Sequence, residues 1–128
     1  MNDLPDSIDS TLLDTEQIEM LIEAGASESM ELVRELLDLY EGESLQKLEE
    51  LKASCAAGDY EAMSRSAHAL SGSSANVGGR LVWQLTKQME NDCKQGRGAV
   101  AAKMLGALEN AHKQTLIGLR EFLDNYKA

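Results

Sequence analysis

Residues 59–79, DYEAMSRSAHALSGSSANVGG, decide how this chain folds. At about 100° of turn per residue, Met63, Ala67, Leu70, Ser74 and Val77 gather into one narrow stripe, the signature of a helix with one face turned to a core. His68 stands outside that stripe, roughly 140° from its centre on the same wheel. Its neighbours on that outer face, Ser64, Ser71, Gly72 and Ala75, are small, so nothing nearby shields the imidazole from another molecule. Gly72 is informative because a glycine inside an exposed helix costs about 1 kcal/mol relative to alanine. One turn beyond His68, it removes a side chain where another protein's surface would approach the ring. A lone histidine is ordinarily a surface or half-buried residue. The collar of small residues favours a functional one.

Upstream, Gly58-Asp59 reads as a stop followed by a cap, so the histidine helix follows a minimal turn and runs antiparallel to the segment before it. In that segment Met30, Val33, Leu37, Tyr40, Leu48, Leu51 and Cys55 repeat at three- and four-residue steps, with Ser27 as the expected cap. About 30 residues at 1.5 Å each predict a rod of roughly 45 Å. Gly42 interrupts its middle, yet the pattern continues on both sides and predicts one helix. Earlier still, Asp14 and Gln17 have the form of a capping box, and Ile18, Leu21 and Ile22 predict a short amphipathic helix ending near Gly25. Residues 1–13 are polar and acidic and read as a loose arm, with Leu12 and Leu13 able to staple it down.

Downstream, Gly78-Gly79 ends the histidine helix, and Val82, Leu85 and Met89 mark a fourth pattern from Arg80 to Cys93. The turn Gly96-Arg97-Gly98 separates it from a last helix carrying Met104, Leu108, Ala111, Thr115, Leu119, Phe122 and Tyr126 on one side. The expected organisation is an arm over 1–13 and one all-α domain over 14–128. That domain is an up-down antiparallel four-helix bundle with the short first helix packed at one end.

At 128 residues the chain is long enough for a self-sufficient core. With 43% hydrophobic residues, one proline and few β-branched runs, the composition favours helices over disorder or sheet. A net charge of −10 argues against nucleic-acid or anionic-membrane partners, which demand clustered Lys and Arg. Cys55 and Cys93 have no ligand spacing and read as reduced packing thiols, which fits a cytoplasmic location. No charged-then-apolar signal segment or 18-residue apolar run is present. The self-contained core and the negative charge point to a monomer.

The run His68-Ala69-Leu70-Ser71-Gly72-Ser73-Ser74-Ala75-Asn76-Val77-Gly78 resembles the phosphorylation motif of histidine-containing phosphotransfer (HPt) domains, H-x-L-K-G-(S/A)-(S/A)-x-x-(V/L)-G. Ser71 is the departure, standing where the family usually has lysine. The segments around the motif resemble the family's bundle over roughly residues 14–126. The resemblance implies a phosphoryl carrier of two-component phosphorelays. It accepts a phosphoryl group on His68 from an aspartate of a receiver domain and passes it to another, or the reverse. The implied partners are response-regulator receiver domains and a hybrid sensor histidine kinase. No cofactor is expected of the carrier, because Mg²⁺ belongs to the receiver.

One ring nitrogen of a histidine can attack only if the other holds the proton. Glu90, 22 residues after His68 on the next antiparallel helix, is at a place where HPt relatives often carry Glu or Gln, and the resemblance implies that it orients the imidazole. A solvated surface glutamate is the alternative. The expected docking surface comprises Ser64, Arg65, Ser71, Gly72 and Ala75 around His68, with Ile18, Leu21 and Ile22 of the first helix as candidates whose alternative, and commoner, reading is core. Arg65, one turn before His68, is a candidate stand-in for the missing lysine, although a solvated helix residue is the commoner reading of such a position. His112 has no ligand spacing and reads as structural or solvated; Glu90, Asp92 and Cys93 form no metal set. The chain has no Gly-rich phosphate loop, so no ATP site is expected and the chain is not a kinase in its own right. Two competing readings remain: a module that docks and blocks a receiver without accepting phosphate, and a helical-bundle metal or redox protein.

Overall fold

The computed structural model describes residues 11–26 and 30–126. The expected cap Ser27 and residues 1–10 of the expected arm lie outside the described residues. Asp14 opens the helical part of the chain, its Oδ1 accepting from the Gln17 N–H at 3.1 Å, and α1 spans Thr15–Ala26. The Gln17 side chain does not close a reciprocal box. It donates instead to the Asn76 carbonyl at 3.0 Å, and the Asp14 N–H donates to the Gly78 carbonyl at 2.8 Å. The start of α1 is thereby tied to the end of the histidine helix. The preceding residues are held as well, since the Leu81 N–H donates to the Leu12 carbonyl and Leu13 packs against the core.

Helix α2 (Met30–Ala57) runs unbroken through Gly42, as the continued pattern predicts. Gly58, with φ +66°, and Asp59 then reverse the chain. Asp59 caps α3 (Tyr60–Asn76), its Oδ1 accepting from the Ala62 N–H at 3.1 Å. Gly78, with φ +82°, makes the next reversal into α4 (Arg80–Lys94). Two- and three-residue turns leave consecutive helices no course but antiparallel packing.

The last segment differs from the expected single helix. A five-residue helix, α5 (Gly98–Ala102), is followed by a break at Lys103-Met104 and then by α6 (Leu105–Asn125). Helix α5 packs on α4, and its first residue, Gly98, lies so close to Tyr60 of α3 that a Cβ there would overlap the ring.

Four long helices, α2, α3, α4 and α6, enclose two apolar clusters. One joins Leu51, Met63, Leu70, Leu85, Met89 and Leu108; the other joins Ile22, Val33, Leu37, Tyr40, Val77 and Leu119. Between them the Tyr40 hydroxyl and Ser74 Oγ meet at 2.7 Å, and His112 Nε2 lies 2.7 Å from Ser44 Oγ. These buried polar groups are paired, which is what lets them stand inside a core. Helix α1 covers the end of the bundle where Ile18 and Ile22 enter the second cluster. Among the described residues no helix is long and apolar enough to cross a membrane.

Candidate functional site

The α3 stripe predicted from spacing is the buried face: Met63, Ala67, Leu70, Ser74 and Val77 all lie in the interior. His68 projects from the opposite side, and its side chain is 69% exposed. Gly72, one turn on, has open space where a Cβ would be, so the approach to the ring is clear. Ala75 extends the same exposed face, and Ser64 is half-buried one turn before the histidine.

Helix α4 lies antiparallel beside α3 and brings Glu90 to the ring. Its Oε2 is 2.9 Å from His68 Nδ1 and 2.8 Å from the Lys94 ammonium. The Glu90 side chain is only 8% exposed, which excludes the solvated-glutamate alternative. Burial alone would push this carboxyl up. The Lys94 hydrogen bond, with the charges of His68 and Lys94, outweighs burial and holds it below the ordinary carboxylate range. An ionised carboxylate only accepts, so the contact assigns the proton to Nδ1 and leaves the Nε2 lone pair to a partner. A nucleophilic nitrogen on an exposed, oriented ring is the chemical capability of the site.

Two expectations about the surroundings change, those for Ser71 and for the first helix. Ser71 neighbours His68 on a helical wheel, but it is only 2% exposed and its hydroxyl donates to the His68 carbonyl at 3.0 Å. It therefore offers the ring face nothing. Ile18 and Ile22, expected as docking residues, are 4% and 1% exposed because the bundle end absorbs the apolar face of α1. Only Leu21 of that trio reaches a surface, in a groove of about 110 Å³ shared with Leu36, Leu39, Ser73 and Asn76. Arg65 leans away toward Glu61 at 3.4 Å, both exposed on the same helix.

Two features escaped sequence reasoning. Lys94 was detectable in principle, being four residues after Glu90 on one helix face. Leu39, which is 57% exposed, was detectable as a leucine lying off the core stripe of α2. The remaining polar candidates are structural. Asp92 is buried and takes Arg97 Nη2 at 2.9 Å, closing the α4–α5 turn. His112 is buried against Ser44. The two cysteines are free, and the Cys93 thiol donates to Met63 Sδ at 3.4 Å. Among the described residues no three His, Cys, Asp or Glu side chains group in a way that would hold a metal ion.

A family model described as the Hpt domain matches residues 35–122, a span that contains both His68 and Glu90. Among solved structures, the chain is similar to the histidine-containing phosphotransfer protein B (HptB) of Pseudomonas aeruginosa PAO1. Identity is 25% and the TM-score 0.79, and the match covers 93% of this chain and 100% of the other. No curated protein sequence matches the chain.

Proposed function

We propose that this chain, which belongs to the Hpt domain family, takes a phosphoryl group onto His68 from an aspartate of one receiver domain and gives it to an aspartate of another, or runs in the reverse direction. The observation that carries this reading is the 2.9 Å contact between His68 Nδ1 and buried Glu90, which leaves Nε2 as the nucleophile on an exposed ring. The Nε2 lone pair attacks the phosphorus of the aspartyl phosphate while the bond from phosphorus to the aspartyl oxygen breaks. The aspartate leaves as a carboxylate with that electron pair, and the Nδ1 proton stays on the ring against Glu90. Positioning and charge neutralisation supply most of the acceleration in such a transfer, and the receiver's Mg²⁺ contributes the larger part of the charge. The carrier supplies no metal and no ATP chemistry.

The receiver docks over Gly72 and Ala75 and onto the groove of Leu21, Leu36 and Leu39. This groove opens beyond Gly72, where Ser73 and Asn76 line it, and offers apolar side chains of the kind found at the core of such an interface. The phosphoryl source behind the donor receiver is a hybrid sensor histidine kinase, and two free thiols suit a reducing cytoplasm.

One observation favours a second reading, in which the bundle binds and blocks a receiver without accepting phosphate: Ser71 turns inward where a lysine usually faces the ring. Transfer of labelled phosphate from phosphorylated receiver domains separates the two readings, with His68→Gln run in parallel. Label on the wild type and none on the variant is the expected result. Binding without label would overturn the carrier reading in favour of the blocking module.

A further inference from the structure

With Ser71 buried and Arg65 turned to Glu61, the motif helix offers no cation to a phosphoryl group on Nε2. Yet the group would arrive as a dianion beside an ionised, nearly buried carboxylate, an arrangement that like charges oppose. A cation is already in place on the neighbouring helix. The Lys94 ammonium shares Oε2 of Glu90 with the His68 ring, while its side chain is 64% exposed.

We infer that Lys94 supplies the phosphoryl-facing positive charge that position 71 lacks in this chain, moving from Glu90 to the phosphoryl oxygens when His68 is phosphorylated. The inference rests on His68 being the phosphoacceptor. Lys94 borders two surface hollows, one with Ser64, Arg65 and Cys93 on the α3 side, the other with Lys87, Glu90 and Asn91 along α4. A flexible four-carbon stem ending in a compact charge can pivot between them. The exchange also suits Glu90. After transfer the ring carries phosphorus on Nε2 and a proton on Nδ1, and so has a positive charge of its own. The carboxylate keeps that charge as its partner while the ammonium goes to the phosphoryl oxygens. Lys87 sits one turn from Glu90 and is exposed, whereas Glu90 Oε2 accepts from His68 and Lys94.

The test uses phosphoramidate, a small phosphoryl donor, so that the outcome does not depend on the choice of receiver. Wild type, Lys94→Gln, Lys94→Arg, Lys87→Gln and His68→Gln are loaded, and the decay of phosphohistidine is followed. Nitrogen NMR reads the tautomer of the unphosphorylated ring. Lys94→Gln is expected to shorten the phosphohistidine lifetime about tenfold, the size of one charge-assisted hydrogen bond. Lys94→Arg should restore most of the lifetime, Lys87→Gln should behave as wild type, and the ring of Lys94→Gln should keep its Nδ1 proton.

A wild-type lifetime in Lys94→Gln overturns the inference and leaves His68 as acceptor. So does an equal loss in Lys87→Gln, which would mean only a general field. A lost Nδ1 proton in Lys94→Gln would make Lys94 a positioning residue for Glu90 and overturn the inference too. Absence of label from the wild type itself would instead bring down the carrier reading, and this inference with it.

Discussion

His68 Nδ1 stands 2.9 Å from Oε2 of Glu90, a residue on the adjacent helix that is nearly closed to solvent. The pair fixes one tautomer without closing the ring to a partner. Glu90→Ala should slow phosphorylation of His68 by about tenfold to a hundredfold, the range for one hydrogen bond to a charged group. Glu90→Gln keeps a carbonyl oxygen able to accept from Nδ1 and should lose less. Rates with a phosphorylated receiver check both, and equal rates in all three proteins would remove Glu90 from the mechanism. The Glu90 carboxyl is held below its ordinary 4.5, so it stays ionised through that pH and the contact weakens only as pH falls further.

The exposed leucine of the groove gives a second prediction. Leu39 is too exposed to matter much to folding, but it lies on the proposed docking side of α3. Leu39→Glu should weaken binding of a receiver domain by about tenfold or more, as expected for an apolar anchor at an interface centre, while leaving the thermal midpoint nearly unchanged. Ile117 is also exposed, but on α6, which is diagonal to α3 in the bundle, so Ile117→Glu should leave the affinity as it was. Calorimetric titration with one receiver compares the two variants. Equal losses would place docking elsewhere or reveal a charge effect only.

Periodicity along one helix made α2, α3, α4 and the outward position of His68 legible, because those features are local to a helix. Gly58, Gly78 and Gly96, all at positive φ, made two of the turns and the end of α4 legible for a similar reason. What stayed hidden depends on contacts between helices. An apolar stripe says that a face will be covered but not by what, so Ile18 and Ile22 fit a landing surface as well as the core, which is the commoner outcome. A wheel places Ser71 beside His68 without knowing how the helices pack around it. The break before α6 falls in AAKML, which contains neither glycine nor proline. Gly98, at the start of α5, lies against Tyr60, 38 residues earlier in the chain, a closeness that neither local pattern announces.

Gly78 tests how α1 is held. Its φ of +82° is strained for any L side chain, and a Cβ there would lie 2.9 Å from the Asp14 carbonyl oxygen and press into Ile18. Gly96 has a similar φ of +79° with open space around it. Gly96→Ala should therefore show the conformational cost alone, about 1–2 kcal/mol, and Gly78→Ala should exceed it. Urea unfolding measures both. Hydrogen exchange should show α1 loosening in Gly78→Ala before the rest of the bundle. Equal losses would mean that α1 yields to the added methyl without cost.

The buried histidine sets a dependence on pH that is separate from the site. Burial pushes the His112 imidazole below its ordinary 6.5, and the negative charge of Glu41 only partly opposes this. The other groups that meet the ring, Ser44 and Tyr40, carry no charge near neutrality. In the unfolded chain the same imidazole takes a proton as pH falls past 6.5, while in the folded chain it does not. The unfolded state therefore binds more protons below that pH, and folding stability must fall with pH by up to about 1.4 kcal/mol per unit for this group. The loss begins near pH 6.5 and ends only below the lowered folded value. His112→Gln keeps a side chain able to bond Ser44 but cannot titrate. It should be less stable than wild type at pH 8, through imperfect packing, and should close part of that gap by pH 5. Titrations common to the two proteins cancel in this comparison. Urea midpoints at pH 8, 6.5 and 5 measure the gap, and a gap independent of pH would mean that His112 titrates alike in the folded and unfolded chain.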